Sequence, residues 1–288
     1  MTNLSDHKEW VAGVFDRASD SYDLTGPKIF THFGKGLVAY SEIQSGSKIL
    51  DAACGSGAVL IPASDAVGKN GSVIGIDISK GMVRRLGKDL EQRGISNAKT
   101  RVMDAEDLKF QDVTFDTVLC GFALFFFPDL TCALEEFYRV LKPQGCLAVS
   151  TIERIKTPWE DSLLEIRKLY QDRLVPVPAM KTRDLNEEKE VAEVLEAVGF
   201  VQVEHQTDSE QFYFRDEVEW WETQWSIFHR AFMERLDPDS LREYKRELLD
   251  IVRKFRSSKG IPSSILARYS KAKKPADCLR EEYAAQTN

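Results

Sequence analysis

The chain is short of several things, and each shortage removes a class of function. Its five cysteines, Cys54, Cys120, Cys132, Cys146 and Cys278, include no C-x-x-C spacing, so neither a zinc site nor a redox pair is indicated. An odd number of thiols, mostly on or beside expected strands, reads as reduced cysteine in a cytoplasmic protein. Basic residues do not dominate: 39 Lys and Arg against 46 Asp and Glu leave a net charge of −7, which argues against a broad nucleic-acid footprint. The basic run Lys271-Ala272-Lys273-Lys274 reads as a solvated tail. No apolar stretch approaches the length of a bilayer span, the central run Phe122–Phe127 being far too short, and the polar first residues lack signal-peptide character. A P-loop with its terminal Gly-Lys-Ser/Thr is missing. The dinucleotide fingerprint G-x-G-x-x-G also fails, because its third glycine position holds Leu60.

What is present is a globular composition, 43% hydrophobic and 30% charged over 288 residues, enough for a large core in one elaborated domain or two small ones. The most informative stretch is Ile49-Leu50-Asp51-Ala52-Ala53-Cys54-Gly55-Ser56-Gly57. Ile49 and Leu50 end an apolar run that reads as a buried strand, Asp51 closes it, and Gly55 and Gly57 allow a tight turn into a helix. A second run, Val73-Ile74-Gly75-Ile76, ends in Asp77. In an open parallel sheet the ligand crevice lies beyond the strand carboxyl ends, where an acid can hold both hydroxyls of a ribose. The pair of signals implies an adenosine-containing cofactor.

Periodicity divides the chain into five parts. Residues 1–45 read as an N-terminal helical lid, with Trp10, Val14 and Phe15 on one face and Ile29, Phe33, Leu37 and Tyr40 on another. Residues 46–152 alternate strands and helices, which implies a parallel sheet with right-handed crossovers. Residues 153–185 form a cap insertion whose stripe Trp159, Leu163, Ile166, Tyr170 is broken by Pro176 and Pro178. Residues 186–214 read as a helix capped by Asn186 and ending at Gly199, then a hairpin of Phe200–Glu204 with Gln211–Phe214. Residues 215–288 read as a C-terminal helical extension carrying Trp221, Trp225, Phe228 and Phe232, then Leu241, Tyr244, Leu248, Val252 and Phe255. The first aromatic stripe reads as core packing ahead of a substrate wall, with a homodimer contact third. Selectivity is expected in 153–185 and 215–270.

Residues 51–57 resemble the first motif of class I S-adenosylmethionine-dependent methyltransferases, and the likeness continues in order. Val102-Met103-Asp104-Ala105-Glu106 resembles the strand end that meets the adenine amine, Phe115–Leu124 the fourth strand and its loop, and Glu136–Gly145 the approach to the fifth strand, Cys146–Ile152. Val14–Asp23 resembles the first helix of the ubiquinone/menaquinone-type small-molecule branch, in which the tyrosine, here Tyr22, reaches the cofactor's carboxylate. The resemblance covers roughly residues 10–150. It implies a Rossmann-like α/β fold of seven strands in the order 3-2-1-4-5-7-6, the last antiparallel, under a helical cap.

The same resemblance implies S-adenosylmethionine as cofactor and a small-molecule acceptor, quinone-like or from secondary metabolism, methylated at O, N or C. Asp77 is expected at the ribose and Asp104 at the adenine amine. Gly55, Ser56, Gly57 and Tyr22 are expected around the amino-acid end, Ile78, Met82 and Ala105 along the adenine, and Gly121 and Phe122 beneath the sulfonium; Asp51 and Ala52 are expected among the cofactor-binding residues, Asp51 against a reading in which it only braces the glycine turn. Relatives carry a His or polar pair after the fourth strand, where this chain has Phe125-Phe126-Phe127, so a catalytic histidine is not expected there. His32 and His229, on possible cap helices, are the remaining candidates for a base, each against a purely structural reading. The competing readings are a cofactor-binding cyclase or rearrangement enzyme on the same fold, a nicotinamide oxidoreductase, and a non-catalytic binding protein.

Overall fold

Ile49 and Leu50 are both fully buried although they are neighbours, because successive side chains of a strand point to opposite faces and both faces of this sheet are covered. They lie on β1 (Lys48–Ala52), which pairs in parallel with β2 (Ser72–Asp77) on one side and β4 (Phe115–Gly121) on the other. The computed structural model describes residues 4–155, 157–178 and 185–276. In it β3 (Ala98–Val102), β5 (Leu141–Ile155), β6 (Val201–Phe214) and β7 (Ile261–Lys273) complete a seven-stranded sheet of order β3-β2-β1-β4-β5-β7-β6. β7 runs antiparallel to both of its neighbours. The strand order expected from the sequence is therefore the order observed.

The alternation divides the core in two. Leu50, Ile76, Val118, Leu147 and Val149 point to the face covered by α5 (Leu130–Val140) and α7 (Glu188–Val198). Ile49, Val73, Leu119 and Ala148 point to the face covered by α2 (Ile29–Tyr40), α3 (Leu60–Val67) and α4 (Lys80–Gln92). A third cluster forms the cap, from α6 (Glu160–Leu169), α8 (Glu217–Ser226), α9 (Arg230–Met233) and α10 (Pro238–Lys254). Trp159, Leu163 and Tyr170 meet Tyr244, Leu248 and Val252 there. α1 (Leu4–Ala18) crosses the carboxyl ends of the strands and packs on α4.

Several expectations are corrected. Residues 201–214 are not a hairpin but one continuous strand, and Gln211–Phe214 pairs with 261–264 from beyond the cap helices. The segment taken as a C-terminal extension is thus an insertion between β6 and β7, followed by a strand of the sheet. The run Lys271–Lys274 is no solvated tail. Ala272 is fully buried, Lys271 bridges Glu42 and Glu204, and the Lys274 ammonium donates to the carbonyls of Tyr138 and Leu141. The cap of α7 is Glu187, which exchanges hydrogen bonds with Glu190 in a capping box, while Asn186 offers its carbonyl to Arg268. The aromatic stripe 221–232 is split, since Ile227 is extended between α8 and α9 and turns Phe228 away from its fellows. His7 is buried on α1. Cys278 lies outside the described residues.

Gly260 makes the turn from the insertion into β7. Its φ of 113° is one that side chains rarely adopt, and an added Cβ would overlap the carbonyl oxygen of Phe214. Gly260→Ala is expected to lower the unfolding free energy by about 1–3 kcal/mol, measured by urea denaturation, with no loss of helical circular dichroism at low urea.

Candidate active site

The turn after β1 is held by the acid that ends β2. One oxygen of Asp77 accepts from the amide of Gly55 at 2.9 Å and the other from the amide of Ser79 at 2.8 Å, so this carboxylate ties the glycine loop to the start of α4. Burial pushes its pKa up to about 6, only partly opposed by those amides, and Asp16 adds to the rise. At Gly55, φ is 49° and an added Cβ would project into open space. Two non-glycine residues beside it share the left-handed conformation, Ala53 at 56° and Phe122 at 52°, and both line the crevice. Strained backbone gathered at one cleft is a mark of function.

Asp51 is 1% exposed, and neither of its carboxylate oxygens has a hydrogen-bond partner among the described residues. Its pKa is raised well above the usual carboxylate range by burial and by Asp77, the amide of Leu60 opposing this weakly. It borders a small hollow with Tyr22, Gly55 and Ser56. An orphaned, buried acid beside an amide-lined turn fits an ammonium group, which the methionyl end of S-adenosylmethionine carries.

The neighbouring crevice is walled by Asp77, Ile78, Met82, Asp104, Ala105, Gly121 and Phe122, all expected there, and by several residues that were not: Lys8, Met103, Glu106 and Phe126. Lys8 on α1 reaches across to Asp104 at 2.7 Å and Glu106 at 2.6 Å. Burial opposes its charge, but the two carboxylates outweigh that and its pKa is raised. Asp16, two turns further along α1, accepts from the Ser79 hydroxyl at 2.6 Å and the Gly81 amide at 2.7 Å. α1 is therefore pinned over the crevice at the ends of both acid-bearing strands. The Tyr22 ring stacks on Phe30 at 5.2 Å in the wall common to crevice and hollow.

A separate cavity of about 260 Å³ opens under the cap. Phe30, Phe33, Trp159, Phe214 and Phe228 line it, and Phe122 is common to this cavity and the crevice. Phe228 packs on Phe15 and Phe126, so three rings from α1, the β4–α5 loop and the cap form a partition beside it. His229 lines the cavity but is fully engaged: Nδ1 lies 3.0 Å from Gln224 and Nε2 2.9 Å from the Tyr244 hydroxyl. Burial, with the nearby positive charge of Arg167, pulls its pKa down to about 3, so it is neutral at physiological pH.

Two expected cofactor residues and one expected base fall elsewhere. Ala52 is buried in the sheet core, and Gly57 serves the turn, donating its amide to the Cys54 carbonyl. His32 lies outside the cavity wall, about 4 Å from Asp208 and Glu210 on β6. Among the unexpected residues, Lys8 was legible only as a charge on an amphipathic helix. Ala53 gave no signal, since nothing in an alanine announces a left-handed backbone. Among the described residues no cluster of His, Cys, Asp and Glu suits a metal ion, and no helix is long and apolar enough to cross a membrane.

Comparison with known proteins agrees with this geometry. The chain is 39% identical over 147 residues to the aklanonic acid methyltransferase DauC of Streptomyces sp. (strain C5), covering 51% of this chain and 67% of that one. It is 34% identical over 170 residues to the demethylmenaquinone methyltransferase of Anoxybacillus flavithermus, covering 57% and 68%. Among solved structures, the YcgJ protein of Bacillus subtilis superposes with a TM-score of 0.57 at 20% identity over 85% of this chain and 99% of that one, a likeness of fold. The family described as a methyltransferase domain matches residues 43–230, from just before β1 into the cap. With well over half of its length inside that match, and the crevice placed where an adenosyl group is held in such folds, the chain belongs to the S-adenosylmethionine-dependent methyltransferases.

Proposed function

We propose that the protein transfers a methyl group from S-adenosylmethionine to a small aromatic or polycyclic acceptor seated under the cap. The observation that carries this reading is Phe122, one strained residue common to the adenosyl crevice and the aromatic cavity. The relatives' names point the same way, to aklanonic acid in one and demethylmenaquinone in the other.

When bound, the cofactor supplies a methyl carbon already activated by its positively charged sulfur, so the residues mainly bind, orient and exclude water. Asp51 would pair with the ammonium, and the Gly55 and Ser56 backbone with the Tyr22 side chain would hold the carboxylate. Asp77 would accept from the ribose hydroxyls. Asp104, already engaged by Lys8, would accept from the adenine amine through its remaining lone pairs. Ile78, Met82 and Ala105 would flank the adenine, Met82 as an adaptable apolar contact, and Gly121 and Phe122 would floor the sulfonium. The acceptor would lie against Phe122 from the cap side, and holding it in line can contribute about 7–11 kcal/mol of the barrier. His229, neutral and bonded at both nitrogens, serves the cavity wall rather than proton removal.

S-adenosylhomocysteine is expected to raise the melting temperature and a nicotinamide dinucleotide to leave it unchanged, since only a ligand of the native state stabilises it. Mass spectrometry of turnover mixtures should detect gain of one methyl; a rearranged product of unchanged mass would defeat the transfer reading. Asp77→Ala should weaken cofactor binding at least about tenfold by calorimetry with the fold retained. Only the ionised Asp77 offers both oxygens as acceptors, so affinity in the unmodified protein should fall as pH drops below about 6. Asp51→Asn should separate two quantities. The Asp51 pKa is higher in the folded than in the unfolded chain, so it costs stability increasingly as pH rises from the ordinary carboxyl range. The Asn variant should therefore be more stable without ligand at pH 7.5, by about 1–3 kcal/mol, while binding the cofactor more weakly. A variant that binds as tightly as the parent would remove Asp51 from the site.

A further inference from the structure

α6 turns one face to the cap cavity, bearing Glu160, Leu163 and Arg167. Glu160 and Arg167 are seven residues apart, so about 10.5 Å separates them along the helix. The two ends of this stripe differ in how they are satisfied. Glu160 accepts a hydrogen bond from the Thr157 hydroxyl at 3.3 Å, and burial raises its pKa. Arg167 lays its guanidinium over the Phe232 ring at 4.7 Å, but among the described residues no carboxylate comes within ion-pair distance and no acceptor takes its N–H groups.

That is unusual for this cap. Arg230 pairs with Glu234, Arg17 pairs with the same acid from α1, Arg173 pairs with Glu243, and Arg235 donates to the carbonyl of Val175. Arg167 alone of this group faces the cavity. Its field reaches His229, Tyr244, Arg235 and, at the far end of the stripe, Glu160, so this end of the cavity is electropositive and that facing acid lies beyond ion-pair distance. A half-buried guanidinium with no anion in direct contact leaves part of its desolvation uncompensated. The ring beneath fixes one face of the group and leaves the N–H edge free, the geometry that matches an oxyanion with two parallel hydrogen bonds. Aromatic walls lower the local dielectric and strengthen such a pair.

We infer that Arg167 docks an anionic oxygen group of the acceptor, a carboxylate or phenolate, and so selects acidic over neutral aromatic acceptors. This rests on the methyl-transfer reading for the cavity's role, with the nucleophile presented at the Phe122 wall and the anion held on α6.

The test uses 2-naphthoate and its neutral isostere 2-naphthamide, titrated by calorimetry into the full-length protein with and without saturating S-adenosylhomocysteine. Wild type should bind the naphthoate at least about tenfold more tightly than the amide. Arg167→Gln should abolish that preference by weakening naphthoate alone, and Arg167→Lys, which keeps the charge but loses the planar fork, should fall between. The melting-temperature rise with S-adenosylhomocysteine should be the same in all three proteins. Equal binding of the two probes to wild type, no binding of either, or a full preference surviving in either variant would overturn the assignment. A naphthoate preference in a protein that ignores S-adenosylhomocysteine would instead sink the methyl-transfer reading and leave the anion site standing.

Discussion

The site is organised by one carboxylate taking amide hydrogens from two different loops. By accepting from Gly55 and from Ser79, Asp77 fixes the turn after β1 relative to the start of α4, and the crevice is the space between them. The same acid lies near Asp51, and burial raises both. With Asp104 and Glu106 on the far wall, acids face the crevice from several sides, and Lys8 is the one basic residue among its described lining. Repulsion among buried acids is a cost in the empty protein. It is offset when the ligand brings positive charge, and an ammonium with a sulfonium brings two. The strain of the empty site and its fit to a ligand that brings positive charge thus have one origin.

The crevice was legible in the sequence because its parts are local. The strand end Asp51 and the glycine turn fall within a few residues of each other, the second strand-end acid, Asp77, closes the next apolar run, and 3.6-residue and 2-residue periodicities mark what flanks them. Asp77 could therefore be expected at the crevice from its strand-end position, while Asp104, Met82 and Phe122 were expected there from the resemblance to the methyltransferase motifs. What escaped was non-local. Nothing near Gln211 reveals that its strand partner is Ser264, since the intervening residues are helical and the pattern of 201–214 admits a turn. The roles of Lys8 and Asp16 on α1 were not legible, because their partners lie 96 and 63 residues away. The lone guanidinium of Arg167 was equally invisible, since an unpaired charge is a fact about what is not nearby.

The cap shows how an aromatic stripe can be read correctly in part. Trp221 and Phe232 belong to the core of the cap, as regular spacing predicts. The extended residue Ile227 breaks the helix between them, and that break lets Phe228 leave the core and join Phe15 and Phe126 in the partition. A helix kept regular through this segment would hold the same residues and no wall. Trp220, next to the stripe, is the fully buried ring of α8.

The position of β7 has a consequence for biosynthesis. Among the described residues β6 pairs only with β7, and β7 also closes the open flank of β5. On the ribosome both of those strands, and the whole of 215–260, emerge before the strand that joins them. Until it arrives, two unsatisfied sheet edges wait in the nascent chain, each a template for the wrong neighbour. Sheet closure is thus deferred until β7 has been made, and the interval before it is when the polypeptide most needs shielding from its own copies.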